Sequence, residues 1–377
     1  MLSPYFYQTR RWADFWKEAN GQGHDYHFIS LKTNNLGVVE AFVYEYPWFL
    51  GQKFLYLPEG PILRQAYFEE LTLQQIKNGL VEFSEELFKL AQKRGAVFLK
   101  VDLEAKLSNF LNLTNKYEAY KFWQNLSDYK SFRFKSRLAR KRIMYTATML
   151  LNVKNLHWPH NPDPKFSDKA ISIVSSSTEK IDQLRLFFQQ NQEFFKKVNQ
   201  HTRYRTKKSL DQNWKIDTVL SNENFEAFWK IYDQTVHRQD FTTHPKEYFA
   251  KLYTQPETRI IILRDELDQP QAVWFGRMEA NSLVYLYGGN TSYSMDKFGQ
   301  YLIHLEALRM AKTEGKDWYD LGGLESGTGY TTFKERYKGQ TIYFAGPVDL
   351  VVSDFRYDFT NFIVGLGKFL WFVYRSL

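Results

Sequence analysis

The chain has 377 residues, of which 44% are hydrophobic and 24% charged. That suits two or three domains and excludes a wholly disordered protein. Cysteine is absent, which excludes a disulfide framework, a thiolate nucleophile and cysteine-ligated metal. Fifty Lys and Arg against 42 Asp and Glu leave a net charge of +8, which favours anionic partners: nucleic acid, phosphorylated substrates or an anionic membrane face.

Residues 1–16 are polar and aromatic and lack the apolar run of a signal peptide. Tyr26–Leu31, Gly37–Tyr46 and Lys53–Leu57 read as strands separated by the turn signals Asn34-Asn35 and Gly51. Phe68–Arg94 reads as a helix, because Ile76, Leu80, Phe83, Leu87 and Leu90 fall on one face. Gly95 closes it, and Ala96–Val101 follows as a strand buried on both faces. Tyr145–Val153 is the next strand, residues 154–169 form a proline-rich insertion, and Thr178–Leu210 reads as helical. Asn224–Val236 and Pro245–Tyr253 are predicted helices. Arg259–Leu263, Ala272–Glu279 and Ser282–Tyr287 are predicted strands. A helix over Asp296–Thr313 then ends at Gly315, before a strand at Trp318–Leu321.

Two joints match. Ala91 and Gly95 precede FLKVDL, and Ala311 and Gly315, 220 residues later, precede WYDL. Each joint closes the same order of strands, long helix and buried strand, which predicts an internally duplicated α+β architecture. Residues 359–377 form an apolar stretch interrupted by Lys368 and Arg375. It is marginal for a spanning helix, so it either packs on the body or docks at a membrane interface.

Lys130–Arg142 holds seven Lys/Arg and Lys196–Lys208 holds six, neither with an acid. Each is either a solvated face or a polyanion site. Arg203 and Lys207 are four apart, so on a helix they share a face that could grip a pyrophosphate; alternatively Arg203 caps a helix or pairs with an acid. No Walker A run, dinucleotide fingerprint, metal-ligand spacing or nucleophile elbow is present, and no cofactor is expected. Polar function concentrates in the glycine-rich stretch Asp320–Lys338.

YLPEGP (56–61), VDLE (101–104), TRY (202–204), VYLYGG (284–289), YLIHLEALRMAKTEG (301–315), YDLGG (319–323) and FKERYKG (333–339) occur in the order of the FemABX family, which the chain resembles from about Tyr5 to about Val352. Glu59 reverses the charge of the arginine in that family's proline-arginine-glycine-proline element, and the helical arm of some members is absent. The resemblance implies two tandem GNAT-like domains with mixed sheets and a C-terminal helix, residues 1–147 and 148–339, with 340–377 completing the first. It also implies transfer of an amino acid from aminoacyl-tRNA to the stem peptide of a peptidoglycan precursor, either UDP-MurNAc-pentapeptide or lipid II, in the cytoplasm or at the inner membrane face. Lys32, Arg64, Arg203 and Lys207 would meet the precursor's diphosphate and uronyl parts, with Tyr285 and Tyr287 lining the same cleft. Lys334 would stabilise developing negative charge and Asp102 would orient or deprotonate the acceptor amine. The plainer alternatives are a surface lysine and a helix N-cap. Other readings of the chain are acyl-CoA transfer, transfer to a protein N-terminus, and a tRNA- or membrane-binding scaffold without chemistry.

Overall fold

The computed structural model describes residues 6–48, 51–63, 70–139, 143, 147–158, 177–325 and 327–363. Arg64, most of the proline-rich insertion and the apolar stretch after residue 363 lie outside them. The chain runs through α1 (Arg10–Asn20), β1 (Asp25–Thr33), β2 (Gly37–Pro47), β3 (Lys53–Leu57), β4 (Ile62–Leu63), α2 (Leu73–Lys93), β5 (Ala96–Val101), α3 (Ala105–Phe110), α4 (Lys116–Asn125) and β6 (Lys135–Leu138). It continues with β7 (Ala147–Asn152), α5 (Ser177–Gln190), α6 (Gln192–Lys197), α7 (Gln200–Leu210), β8 (Lys215–Asp217), α8 (Asn222–Gln239), α9 (Lys246–Tyr253) and β9 (Thr258–Arg264). β10 (Pro270–Met278), β11 (Ser282–Asn290), α10 (Ser292–Asp296), α11 (Gly299–Thr313), β12 (Trp318–Leu324), α12 (Gly329–Glu335), β13 (Gln340–Tyr343) and β14 (Val348–Val351) complete it. Residues 2–146 with 343–377 form one compact unit, and residues 147–342 form another.

The first unit is built on a sheet of order β1-β2-β3-β5-β14-β6, with β4 paired to β2. Only β3 and β5 run parallel, and α2 joins them. Thr72 starts α2 with a capping box to Gln75, which satisfies two of the backbone donors a helix start leaves open. Ile76, Leu80, Phe83 and Leu87 are buried in the unit's core, as their spacing requires. All six residues of β5 are buried, as its apolar run predicts. β14 lies between β5 and β6, so a strand from the far end of the sequence fills the middle of this sheet. The first basic run enters β6: Phe132, Phe134 and Ser136 are buried while Arg133 and Lys135 alternate outward, so a period of two underlies the cations.

The second unit has the order β13-β7-β12-β11-β10-β9-β8, with β11 and β12 parallel and α11 joining them. Two predicted helices are interrupted. The stretch 178–210 breaks into α5, α6 and α7: the Asn191 side chain bonds the carbonyls of His157 and Phe187, and Asn199 N-caps α7. The helix predicted from Asp296 divides at Phe298, whose φ of +60° precedes Gly299, where a Cβ would sit 2.4 Å from Ser294 Oγ.

The two helix-to-strand joints are built alike. Ala91 and Ala311 are fully buried, and Gly95 and Gly315 take left-handed φ values of +66° and +67°. In both, the residue before the glycine donates back to the helix, Arg94 to Leu90 and Glu314 to Met310. Glycine is the residue that adopts this C-terminal conformation without a Cβ penalty. The described architecture is α+β, each unit repeating a parallel pair bridged by a long helix.

Candidate active site

In the second unit, β11 and β12 pair only from Ser282↔Trp318 to Val284↔Asp320, although β11 runs on to Asn290 and β12 to Leu324. Beyond that point the two strands are no longer bonded to each other. Gly322, with φ of +75°, carries β12 through the divergence; a Cβ there would lie 2.6 Å from the Tyr285 carbonyl oxygen. Thr328 then caps α12, and Thr331 Oγ1 donates to the Glu325 carbonyl at 2.8 Å, closing the glycine-rich loop onto the helix start. α12 in turn carries Lys334 inward.

Lys334 is only 7% exposed. Its ammonium donates to the Gly323 carbonyl at 2.8 Å and lies 5.5 Å from the Tyr285 ring centre and 5.2 Å from that of Tyr330. Burial pulls its pKa down to about 8, with Asp320 opposing the shift. Asp320 is 2% exposed, accepts from the Thr148 hydroxyl and from the Gly322 N–H at 2.8 Å, and is pushed up by burial to about 6. His304 is held neutral, with its pKa lowered to about 3 by burial first and by Lys334 second. Its Nδ1 is 2.6 Å from Tyr319 Oη, which receives the Trp274 indole N–H at 3.0 Å. The site is thus a lysine that is mostly cationic at neutral pH, a carboxylate that supports its charge, and neutral rings around them. Such a cation can stabilise negative charge that develops during a reaction.

The other sequence candidates fare differently. Tyr285 belongs to this site: it stacks on Trp274 and meets His304 edge-on. Tyr287 does not. A bulge in the β10–β11 register pairs Gly276 with Tyr285 but Phe275 with Tyr287, leaving Leu286 extra. The bulge reverses the side-chain alternation, so Tyr287 packs on Phe275, Phe249 and Tyr232, on the opposite face of the sheet from Trp274. The expectation that the two tyrosines line one cleft is therefore corrected.

Arg203 is corrected too. Its Nη1 donates to the carbonyls of Lys196 at 2.6 Å, Val198 at 3.1 Å and Phe195 at 3.2 Å, capping the end of α6 instead of facing outward beside the exposed Lys207. Arg203→Ala is expected to lower stability by about 1–3 kcal/mol. Thermal melting checks this; weakened precursor binding at an unchanged melting temperature would return Arg203 to a binding surface.

In the first unit, Asp102 immediately follows β5, beyond its last pairing with β3. It is buried, and Tyr56 donates to its Oδ2 at 2.6 Å. The Gly60 N–H donates to the Asp102 carbonyl at 3.0 Å, which sets the YLPEGP loop against it. Asp102 is not a helix cap, since Glu104 holds that position for α3. Lys32 is exposed on the edge strand β1. Asp320, His304, Tyr319 and Trp274 were not singled out from the sequence, although YDLGG and YLIHLEALRMAKTEG contain three of them. Among the described residues no cluster of His, Asp and Glu could hold a metal ion.

Residues 264–364 match the model of the FemAB family. A stretch of 134 residues is 27% identical to the UDP-N-acetylmuramoylpentapeptide-lysine N(6)-alanyltransferase of Weissella viridescens, covering 33% of this chain and 38% of that protein's length. The crystal structure of FemX superposes with a TM-score of 0.61 at 13% identity, covering 92% of both chains, which establishes a shared fold. A tandem GNAT protein from the clavulanic acid biosynthesis pathway aligns at a TM-score of 0.47 and 7% identity, over 88% of this chain and 84% of that one. The FemAB family match spans β11, α11, β12 and α12, which build the Lys334 site, the sequence relative is an alanyltransferase matched over little more than a third of its length, and the FemX fold extends over nearly the whole chain: the C-terminal part is similar to the FemAB family and the whole chain shares the FemX fold.

Proposed function

We propose that the protein is an aminoacyltransferase that moves an amino acid from aminoacyl-tRNA to an amine on the stem peptide of a peptidoglycan precursor. The observation that carries this reading is the buried Lys334 ammonium at the diverging ends of β11 and β12. The name of the Weissella relative supports the muropeptide acceptor. The reaction forms a bond from the acceptor nitrogen to the acyl carbon and breaks the ester bond to the tRNA ribose. The proton lost by the amine ends on the departing ribose oxygen. Lys334 stabilises the tetrahedral oxyanion between these events. Asp102 orients the acceptor amine or takes its proton. Lys32, Arg64, Lys207 and Tyr285 serve precursor binding. A tRNA donor places the reaction in the cytoplasm.

Incubating the protein with charged tRNA and UDP-MurNAc-pentapeptide, followed by mass measurement, tests the proposal. The expected product is heavier by one aminoacyl residue and does not form when the charged tRNA is first digested with ribonuclease. Product formed from acyl-CoA without tRNA, or no product from any muropeptide, refutes it.

A further inference from the structure

Residues 354–363 form a helix after β14, and its two sides differ in kind. The inner side is tied to the first unit's sheet. Tyr357 donates to Asp349 at 2.8 Å, Asp349 pairs with the buried Lys100 at 2.5 Å, and Thr360 donates to Gln52 at 2.9 Å. The outer side carries Phe355, Phe359 and Phe362, spaced four and three apart on one helical face and 79%, 45% and 65% exposed. The rings of Phe355 and Phe359 stack at 6.0 Å. A row of exposed rings on a helix anchored by its other face has no role in the unit's own packing.

Its surroundings are basic. Lys135 and Arg137 of β6 pair with Asp354 at the helix start, at 3.0 Å and 3.1 Å, which sets the basic strand beside the aromatic row. Lys130 and Arg133 are exposed further along the same run. Lys130, Arg133, Lys135, Arg137 and Arg356 outnumber Asp128, Asp354 and Asp358, five cations to three acids. The sequence then continues as VGLGKFLWFVYRSL, which has no acid and whose charges are Lys368 and Arg375. Exposed rings beside cations, followed by apolar sequence, match the boundary between anionic headgroups and acyl chains. Among the described residues no helix is long and apolar enough to cross a membrane.

We infer that the helix at 354–363, with the basic run leading into β6, docks the protein on the surface of an anionic lipid bilayer. The rings of Phe355, Phe359 and Phe362 enter the headgroup boundary and the cations meet lipid phosphates. The inference stands apart from the transfer chemistry, and its test reads vesicle binding.

The full chain is sedimented with vesicles of phosphatidylcholine alone and of phosphatidylcholine with phosphatidylglycerol. Binding is expected to the anionic vesicles, weakening as salt is raised. Phe355→Ser with Phe362→Ser should reduce that binding by about tenfold, and Lys130→Glu with Arg133→Glu should remove the preference for phosphatidylglycerol. Melting of each variant checks the fold; if the serine pair melts early, Phe355→Ser alone decides, because Phe355 is the most exposed of the three. Equal binding to both vesicle types, no binding, or full binding by the serine variants overturns the inference. So does concentration-dependent self-association without vesicles that the serine variants abolish, since the rings would then cover a second copy of the chain.

Discussion

Lys334→Met is expected to lower turnover by about 10²–10³-fold, with precursor affinity and melting temperature nearly unchanged. The magnitude is that of losing one preorganised charge aimed at a developing oxyanion. Methionine keeps most of the length and the apolar stem of the side chain and loses the ammonium, with its cation–π contacts to Tyr285 and Tyr330. Stability should hold for a reason visible in the pKa. The folded value, about 8, lies below the unfolded one, near 10.5. The unfolded chain therefore binds the proton more tightly. The charged lysine costs stability below about pH 8, a cost that fades as pH rises toward 10.5. Removing it relieves that cost while removing the donor to the Gly323 carbonyl. The same pKa sets a pH profile. Turnover should rise as the acceptor amine deprotonates and fall as pH passes about 8, where Lys334 loses its charge. Steady-state kinetics across pH, with melting curves, check both statements. Retention of more than about a third of wild-type turnover would remove Lys334 from the chemistry and make the loop backbone the better oxyanion donor.

Asp320→Asn is expected to move the alkaline limb of that profile toward lower pH by about one unit. Asp320 supports Lys334 through charge, and its own carboxylate bonds only Thr148 and the Gly322 N–H among the contacts described here. Asparagine keeps an oxygen for those two donors and removes the negative charge, so Lys334 gives up its proton more readily. Turnover at pH 7.5 should fall by roughly threefold, while at pH 6.5 it should approach the wild-type value. A purely structural role would lower activity equally at both pH values. An alkaline limb that stays in place would show that Asp320 does not control the charge of Lys334.

The parts of the molecule legible in the sequence are those governed by nearby residues. The spacing of Ile76, Leu80, Phe83 and Leu87 specifies the buried face of α2, and the paired Ala-x-x-x-Gly endings mark two helix ends that adopt the same backbone geometry at Gly95 and Gly315. Lys334 is legible through the family resemblance that FKERYKG carries, beside the plainer reading of a surface lysine. Legibility fails where the competing signal is strong or the partner is distant. Seven cations in Lys130–Arg142 hide the alternation of Phe132, Phe134 and Ser136 that makes a strand. Arg203 reads as an anion grip, a helix cap or an acid's partner until α6 ends with its carbonyls within reach.

Local periodicity and turn chemistry thus determined, without coordinates, that this chain builds two α+β units from one repeated plan, and the resemblance that FKERYKG carries pointed to Lys334 as an expected site residue. Tertiary structure alone decided what surrounds that lysine. Asp320 comes to it from β12, His304 from α11, Tyr285 from β11, and Thr148 reaches Asp320 across 172 positions of sequence. It alone decided that one extra residue at Leu286 sends Tyr287 to the other face, and that residues 348–351, expected to complete the first domain, lie between β5 and β6. The physical reason is common to all three. A pKa, a strand's facing and a sheet's filling depend on what is packed nearby, and burial gathers those neighbours from segments whose separation along the chain leaves no periodic trace.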